Sequence, residues 1–187
     1  LKTRKKHLID RRRVFNYVTP QEPNYIDNYV AYSIARWINI FSPESRLVEL
    51  YINESSYGIY NEVEQLDEGF LRNRGLMPVN LYKGEQTNVE KKMAIDPHLF
   101  SNPRLWSKTA VFNQVAEDDF SDLSYFLELL RKAETSNSAF SRLKNVARFE
   151  DWAKYSAFET LVQSWHSTET GNMRLILDPW QGSIKPV

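Results

Sequence analysis

Cysteine is absent from all 187 residues, which excludes disulfides and thiolate chemistry and leaves the redox compartment open. No run of about eighteen apolar residues occurs, the length a membrane-crossing helix needs, so no segment reads as a membrane span. There is no excess of either charge: 24 basic and 24 acidic residues balance, and no global field points to nucleic acid or an anionic surface as partner. Histidine is scarce. His7, His98 and His166 lie far apart without metal-ligand spacing, which argues against a zinc site. The sequence also lacks G-x-x-x-x-G-K-[ST], H-E-x-x-H and G-x-S-x-G, and Gly58 stands alone near a turn without a phosphate-loop signal.

What is present is enough to build a core. Hydrophobic residues make up 42% and aromatics 13%, in a length that suits one domain or two small lobes. The basic residues are uneven: Lys2, Arg4, Lys5, Lys6, Arg11, Arg12 and Arg13 crowd the first thirteen positions. They read either as a solvated strand edge that resists aggregation or as a phosphate-contacting patch. The chain starts at Leu1 without a methionine and stops at Ile184-Lys185-Pro186-Val187, in mid-strand by its pattern. Both ends read as cuts in something longer.

Along the chain, Lys2 to Val18 is short and partly alternating, one or two strands, and Pro20 and Pro23 break it. Asn24 is placed to cap a helix in which Ile26, Tyr29, Val30, Ile34, Trp37, Ile38 and Phe41 form an apolar stripe, ended by Phe41-Ser42-Pro43. A hairpin follows. Val48, Leu50 and Ile52 alternate with polar neighbours, Asn53 to Gly58 supplies turn residues, and Ile59 to Glu64 returns. Asp67 starts a short helix that Gly75 terminates, and Asn80 to Gly84 is a brief strand. Residues 86 to 117 carry no clear period. Asp118 and Asp119 open an amphipathic helix through Leu130, and Phe149 to Trp165 is another, with Trp152, Tyr155, Phe158, Val162 and Trp165 inward. The polar stretch His166 to Asn172 precedes a strand from Met173 to Leu177, a turn from Asp178 to Gly182, and a second strand from Ser183. The class is α+β.

Basic strand, long helix, hairpin, acidic corner, helices, polar loop and second hairpin is the element order of a protein-kinase-like fold. In such folds the strand leaving the first hairpin enters a hinge, and a polar loop later supplies a proton acceptor and a metal-holding Asn. The wording of the sequence goes further. "YIDNYVAYSIARWI", "VELYINESSYGIYNEVEQLDEGFLRNRG", "NLYKGE", "DWAKYSAFETLVQSWHS" and "NMRLILDPWQGSIKPV" resemble the CotH family of spore-coat and cell-surface kinase-like proteins, over essentially residues 10 to 187.

The resemblance implies a two-lobed kinase-like fold truncated at both ends, with an N-lobe-like part over about residues 1–65 and a mostly helical part over about 66–187. It implies ATP and Mg²⁺ as cofactors and the transfer of phosphate to Ser or Thr of partner surface or coat proteins. An extracellular, cell-surface or spore-coat location is implied as well. By the same likeness Glu64 and Gln65 stand at the nucleotide-binding hinge, with Glu62 a plain exposed neighbour, and Asn172 is the metal ligand. The phosphate-binding lysine belongs on an early strand, where Lys2 is the candidate, while Lys83 and Trp165 read as a strand-end lysine and a core residue. Two features depart from the family pattern besides Glu54, which replaces a glycine after Tyr51-Ile52-Asn53. Trp165-His166-Ser167-Thr168-Glu169 lacks the loop aspartate, which leaves Glu169 or His166 as proton acceptor. An acidic metal-binding motif would follow Val187, so weak or absent kinase activity is expected of these residues alone. The alternative is a non-catalytic surface or coat interaction domain that keeps the fold.

Overall fold

The computed structural model describes residues 1–4, 7–19, 26–76, 78–86, 96, 98–111, 116–164 and 171–187. They form a mixed α+β structure with two separate antiparallel sheets, and the chain divides into two units, Leu1–Gly75 and Leu76–Val187. Among the described residues no helix is long and apolar enough to cross a membrane.

The first unit is built from β1 (Phe15–Val18), α1 (Asp27–Trp37), β2 (Ser45–Ile52), β3 (Ser55–Glu64) and α2 (Glu68–Asn73), with β3 central in the order β1-β3-β2. The β2–β3 turn is tighter than its composition suggests. Asn53 and Glu54 alone make it, at φ 48° and 67°, the two positive values that a right-twisted two-residue hairpin demands. Strand pairing resumes at Ser55, and Gly58 lies inside β3, not in the turn, at φ 87° where the ladder slips between Glu49 and Tyr51. Leu1–Thr3 extend the sheet through main-chain bonds to residues 13–15, and Lys2 bridges Val14 there.

Helix α1 departs from its expected stripe. It ends at Trp37 because Asn39 takes the left-handed conformation (φ 58°) and the Ile40 N–H returns to the Ala35 carbonyl. Ala35 is buried, whereas Val30, Ile38 and above all Trp37, 81% exposed, are not. The expected cap, Asn24, lies outside the described residues. Helix α2 is held at its start by Asp67, whose carboxylate accepts from the Gly69 and Phe70 N–H groups at 2.8 and 3.1 Å. Gly75, at φ 67°, closes it.

The second unit contains β4 (Asn80–Gly84), β5 (Trp106–Ala110), α3 (Ser121–Ala133), α4 (Asn137–Ala147), α5 (Phe149–Val162), β6 (Met173–Asp178) and β7 (Ser183–Pro186). Its sheet runs β5-β4-β6-β7, so β4 pairs with a strand some ninety residues later. Leu81, Tyr82, Leu175 and Ile176 are wholly buried in it. Phe100 packs against Trp106, Phe126 and Trp152 with ring centroids 5.9–6.5 Å apart, which links sheet to helices. Gly84 permits the closest approach. A Cβ there would lie 2.8 Å from Leu99 Cδ1 and 3.0 Å from the Trp106 ring.

A polar lock joins β4 to α3. Asp122 accepts from the Tyr82 hydroxyl at 2.6 Å and the Leu123 N–H at 2.7 Å on one oxygen, and from Asn80 Nδ2 at 2.6 Å on the other. Burial pushes the Tyr82 hydroxyl far up, and the Asp122 hydrogen bond and charge add to the shift.

Candidate functional site

The corner between β3 and α2 is the best-defined polar assembly of the first unit. Glu62, Glu64, Phe15 and Tyr17 share one face of the sheet, because Phe15 opposes Glu64 and Tyr17 opposes Glu62. Glu62 is 3% exposed, which corrects its expected place as a plain exposed neighbour. Its burial is possible because two guanidiniums neutralise it: Arg12 at 3.2 Å, and Arg46 at 3.0 Å through both Nε and Nη2. Arg12 is thereby drawn out of the basic N-terminal run into an ion pair, and it lies over the Phe15 ring. Burial, then the Glu62 charge and hydrogen bond, push the Tyr17 hydroxyl up.

Glu64 is also buried, and its carboxylate is fully occupied. Arg74 donates Nη2 to Oε2 at 2.7 Å and Nη1 to Oε1 at 3.1 Å, and the Glu44 N–H donates to Oε2 at 3.1 Å. The same guanidinium reaches the Ser42 and Phe70 carbonyls at 3.3 Å and stacks 3.9 Å from the Phe70 ring centroid. One side chain thus ties the segment before β2, the end of β3 and α2 together. The charge of Glu64 is thus paired within the protein.

Gln65 is fixed from the other side. Asn16 Nδ2 donates to the Val63 carbonyl at 3.3 Å and to Gln65 Oε1 at 2.9 Å. A carbonyl accepts only, so the atom of Asn16 facing both must be its nitrogen, and the atom of Gln65 facing it must be oxygen. The Gln65 carboxamide therefore presents its NH₂ group away from Asn16. The Phe15–Glu64 pairing turns the Gln65 N–H toward the Val14 carbonyl, because Phe15 bonds Leu1 and the Glu64 N–H bonds the Glu44 carbonyl on their outer sides. Glu64 and Gln65 are brought to one corner, the first by Arg74 and the second by Asn16.

The other expected site residues are not assembled there. Lys2 is exposed at the outer edge beyond β1. Trp165, His166, Thr168 and Glu169 lie outside the described residues. Asn172 is exposed at φ 55°, a left-handed conformation that Asn tolerates, immediately before Met173, which pairs with Gly84. Lys83 is ion-paired with Glu85. Among the described residues no group of three or more acidic, His or Cys side chains could hold a metal. Asn172 contributes one carboxamide oxygen, short of the octahedral set that Mg²⁺ takes, so the described residues alone do not make a magnesium site.

Two ionisable groups escaped the sequence reading. Glu159, on the last turns of α5, has a buried Oε2 without a hydrogen-bond partner, and burial pushes its carboxyl up. Lys185 on β7 is pushed down by burial and then by the Arg148 charge. Nothing in the sequence separates either from an ordinary surface charge, since burial is set by elements distant in the chain. Arg148 itself joins α4 to α5 in a left-handed conformation (φ 46°) and binds Asp151 at 3.1 Å and Gln181 at 3.2 Å.

No match is found among curated proteins. The sequence pattern of the family described as CotH kinase protein matches residues 10–181, from ahead of β1 to the turn after β6. With nearly the whole length matched, the chain belongs to the CotH kinase protein family.

Proposed function

We propose that this chain binds ATP with Mg²⁺ and serves transfer of the terminal phosphate to Ser or Thr hydroxyls of partner surface or coat proteins. The observation that carries the proposal is family membership over residues 10–181. The corner at Gln65 supports it, because a strand end held rigidly by Arg74 and Asn16 suits the edge of a flat heterocycle. In the proposed transfer, the substrate hydroxyl oxygen bonds to the γ-phosphorus, the bridging P–O bond to ADP breaks, and the hydroxyl proton passes to the acceptor. Glu169 is the proposed acceptor and His166 its substitute. Gln65 and the main chain at Glu64 take the base, Lys2 a phosphate, and Asn172 contributes to the metal, which would neutralise charge on the phosphates.

A second proposal is a non-catalytic surface or coat interaction domain that keeps the fold but has lost the chemistry of the loop. It is favoured by Trp165-His166-Ser167-Thr168-Glu169, which has no aspartate. Calorimetry of the full-length protein with Mg-ATP, followed by labelled-phosphate transfer to a protein hydroxyl, tests both. Absence of binding heat overturns the kinase proposal and leaves the non-catalytic interaction domain. Binding with transfer that Glu169→Gln abolishes supports the kinase, and binding without any transfer supports the second.

A further inference from the structure

Arg74 has no assigned role, yet it is the most heavily engaged side chain of the first unit. It makes a bidentate pair with a buried carboxylate, reaches two main-chain carbonyls and stacks closely on Phe70. The bidentate pair closes on Glu64, the residue directly before Gln65. A planar guanidinium in such a site is not interchangeable with lysine, which lacks the paired donors and the flat face. The fork fixes the Glu64 carboxylate, and the Glu64 N–H bond to the Glu44 carbonyl at 2.8 Å holds the main chain beside it. Asn16 fixes the next side chain independently.

We infer that Arg74 is a positioning residue for base recognition: through Glu64 it fixes the end of β3 from which the following main chain faces a nucleobase. The inference rests on the proposal that the corner binds a nucleotide. Arg74 touches no ligand in this scheme, and its effect passes through Glu64. Peptide groups displaced by a fraction of an ångström lose alignment with base-edge donors and acceptors while contacts to phosphate and ribose are unaffected. Discrimination between bases therefore suffers more than attraction to the triphosphate.

The test uses the full-length protein and its Arg74→Lys and Arg74→Met variants, with Mg-ATP, Mg-GTP and Mg-tripolyphosphate titrated calorimetrically below each variant's unfolding onset. Circular dichroism establishes that each variant is folded at the titration temperature. Expected is a loss of ATP affinity of about tenfold or more in Arg74→Met. The ATP-to-GTP ratio should narrow and tripolyphosphate binding stay unchanged, with Arg74→Lys recovering only part of the loss. A folded Arg74→Met protein with the parent's ATP-to-GTP ratio overturns the inference, as does equal weakening of ATP and tripolyphosphate. A parent protein that binds no nucleotide overturns the functional proposal first, and with it the role of Arg74. As a second variant, Asn16→Asp places an acceptor against Gln65 Oε1 and turns the Gln65 amide around. It should likewise change the ATP-to-GTP ratio without altering tripolyphosphate binding, and an unchanged ratio counts against base recognition at this corner.

Discussion

Replacing Tyr82 by Phe removes one oxygen from the interior of the second unit and tests whether the lock between β4 and α3 is energetic or incidental. The ring is wholly buried between Phe120 and the sheet, and the substitution preserves its shape and its contact with Lys108. What disappears is a 2.6 Å hydrogen bond to the Asp122 carboxylate. Hydrogen bonds to ionised groups contribute about 1.5–3 kcal/mol. Asp122 keeps Leu123 N–H and Asn80 Nδ2 as donors, so the charge is not stranded and the cost falls toward the middle of that range, about 2 kcal/mol. Such a loss lowers the midpoint of thermal unfolding by roughly 4–8 °C for a cooperative unit of this kind. Calorimetric melting of the parent, Tyr82→Phe, Asp122→Ala and the double variant measures it as a cycle. The reasoning is refuted if Tyr82→Phe costs less than about 0.5 kcal/mol, the ordinary scatter of surface substitutions. It is refuted equally if the Phe substitution costs the same with Asp122 absent.

Three further outcomes follow from local geometry. Glu54→Gly should stabilise the β2–β3 hairpin by roughly 0.5–1 kcal/mol, because Glu54 sits at φ 67° and its left-handed strain exceeds the extra chain entropy of glycine; a lower melting temperature counts against this. Gly84→Ala should destabilise by about 1–3 kcal/mol, since the new methyl meets Leu99 and two Trp106 ring atoms at 3.0 Å or less; an unchanged urea midpoint would show that these rings yield freely. Glu159 has a raised pKa, so between its unfolded value and its folded one the native state holds a proton that the unfolded state has released. Its stability contribution is lost as pH rises through that window. Glu159→Gln should therefore melt higher than the parent at pH 7 and match it near pH 4, and a gain of equal size at both pH values contradicts the assignment.

Elements with local signals were legible. The β2–β3 alternation, the Asp67 cap, Gly75 and the α3 and α5 periods all correspond to structure over the expected ranges to within a few residues. Helix α4 was not, because its inward face is Ala139, Leu143 and Ala147, and small residues make a faint stripe. Strand β5 was missed for a different reason. "WSKTA" is apolar only at its ends, and its pairing with β4 across an aperiodic stretch fixes it as a strand. The acids of the corner misled in the opposite direction. Glu62 and Glu64 alternate on a strand as solvent-facing residues do, and only Arg12, Arg46 and Arg74, supplied from elsewhere in the chain, make their burial possible. The Gln65 corner was singled out through its family likeness, while Arg74 and Asn16 carry no signal that a strand-and-helix pattern exposes.

The register of β4 with β6 also governs when the fold can be finished. Asn80 pairs with Leu177, so on the ribosome the partner strand arrives roughly 5–20 s after β4, at usual elongation rates. All strands of the first unit lie within the first 64 residues and meet far sooner. Among the described residues, β5 is the strand partner that β4 has through that interval, with Leu81 and Tyr82 denied the cover they have in the finished sheet. Closing so long a loop is slow compared with forming a hairpin, and an apolar strand edge left waiting is open to pairing with other chains. The late arrival of β6 leaves this edge open longest, and slower aggregation under holdase chaperones during synthesis is the expected consequence of that long-range ladder.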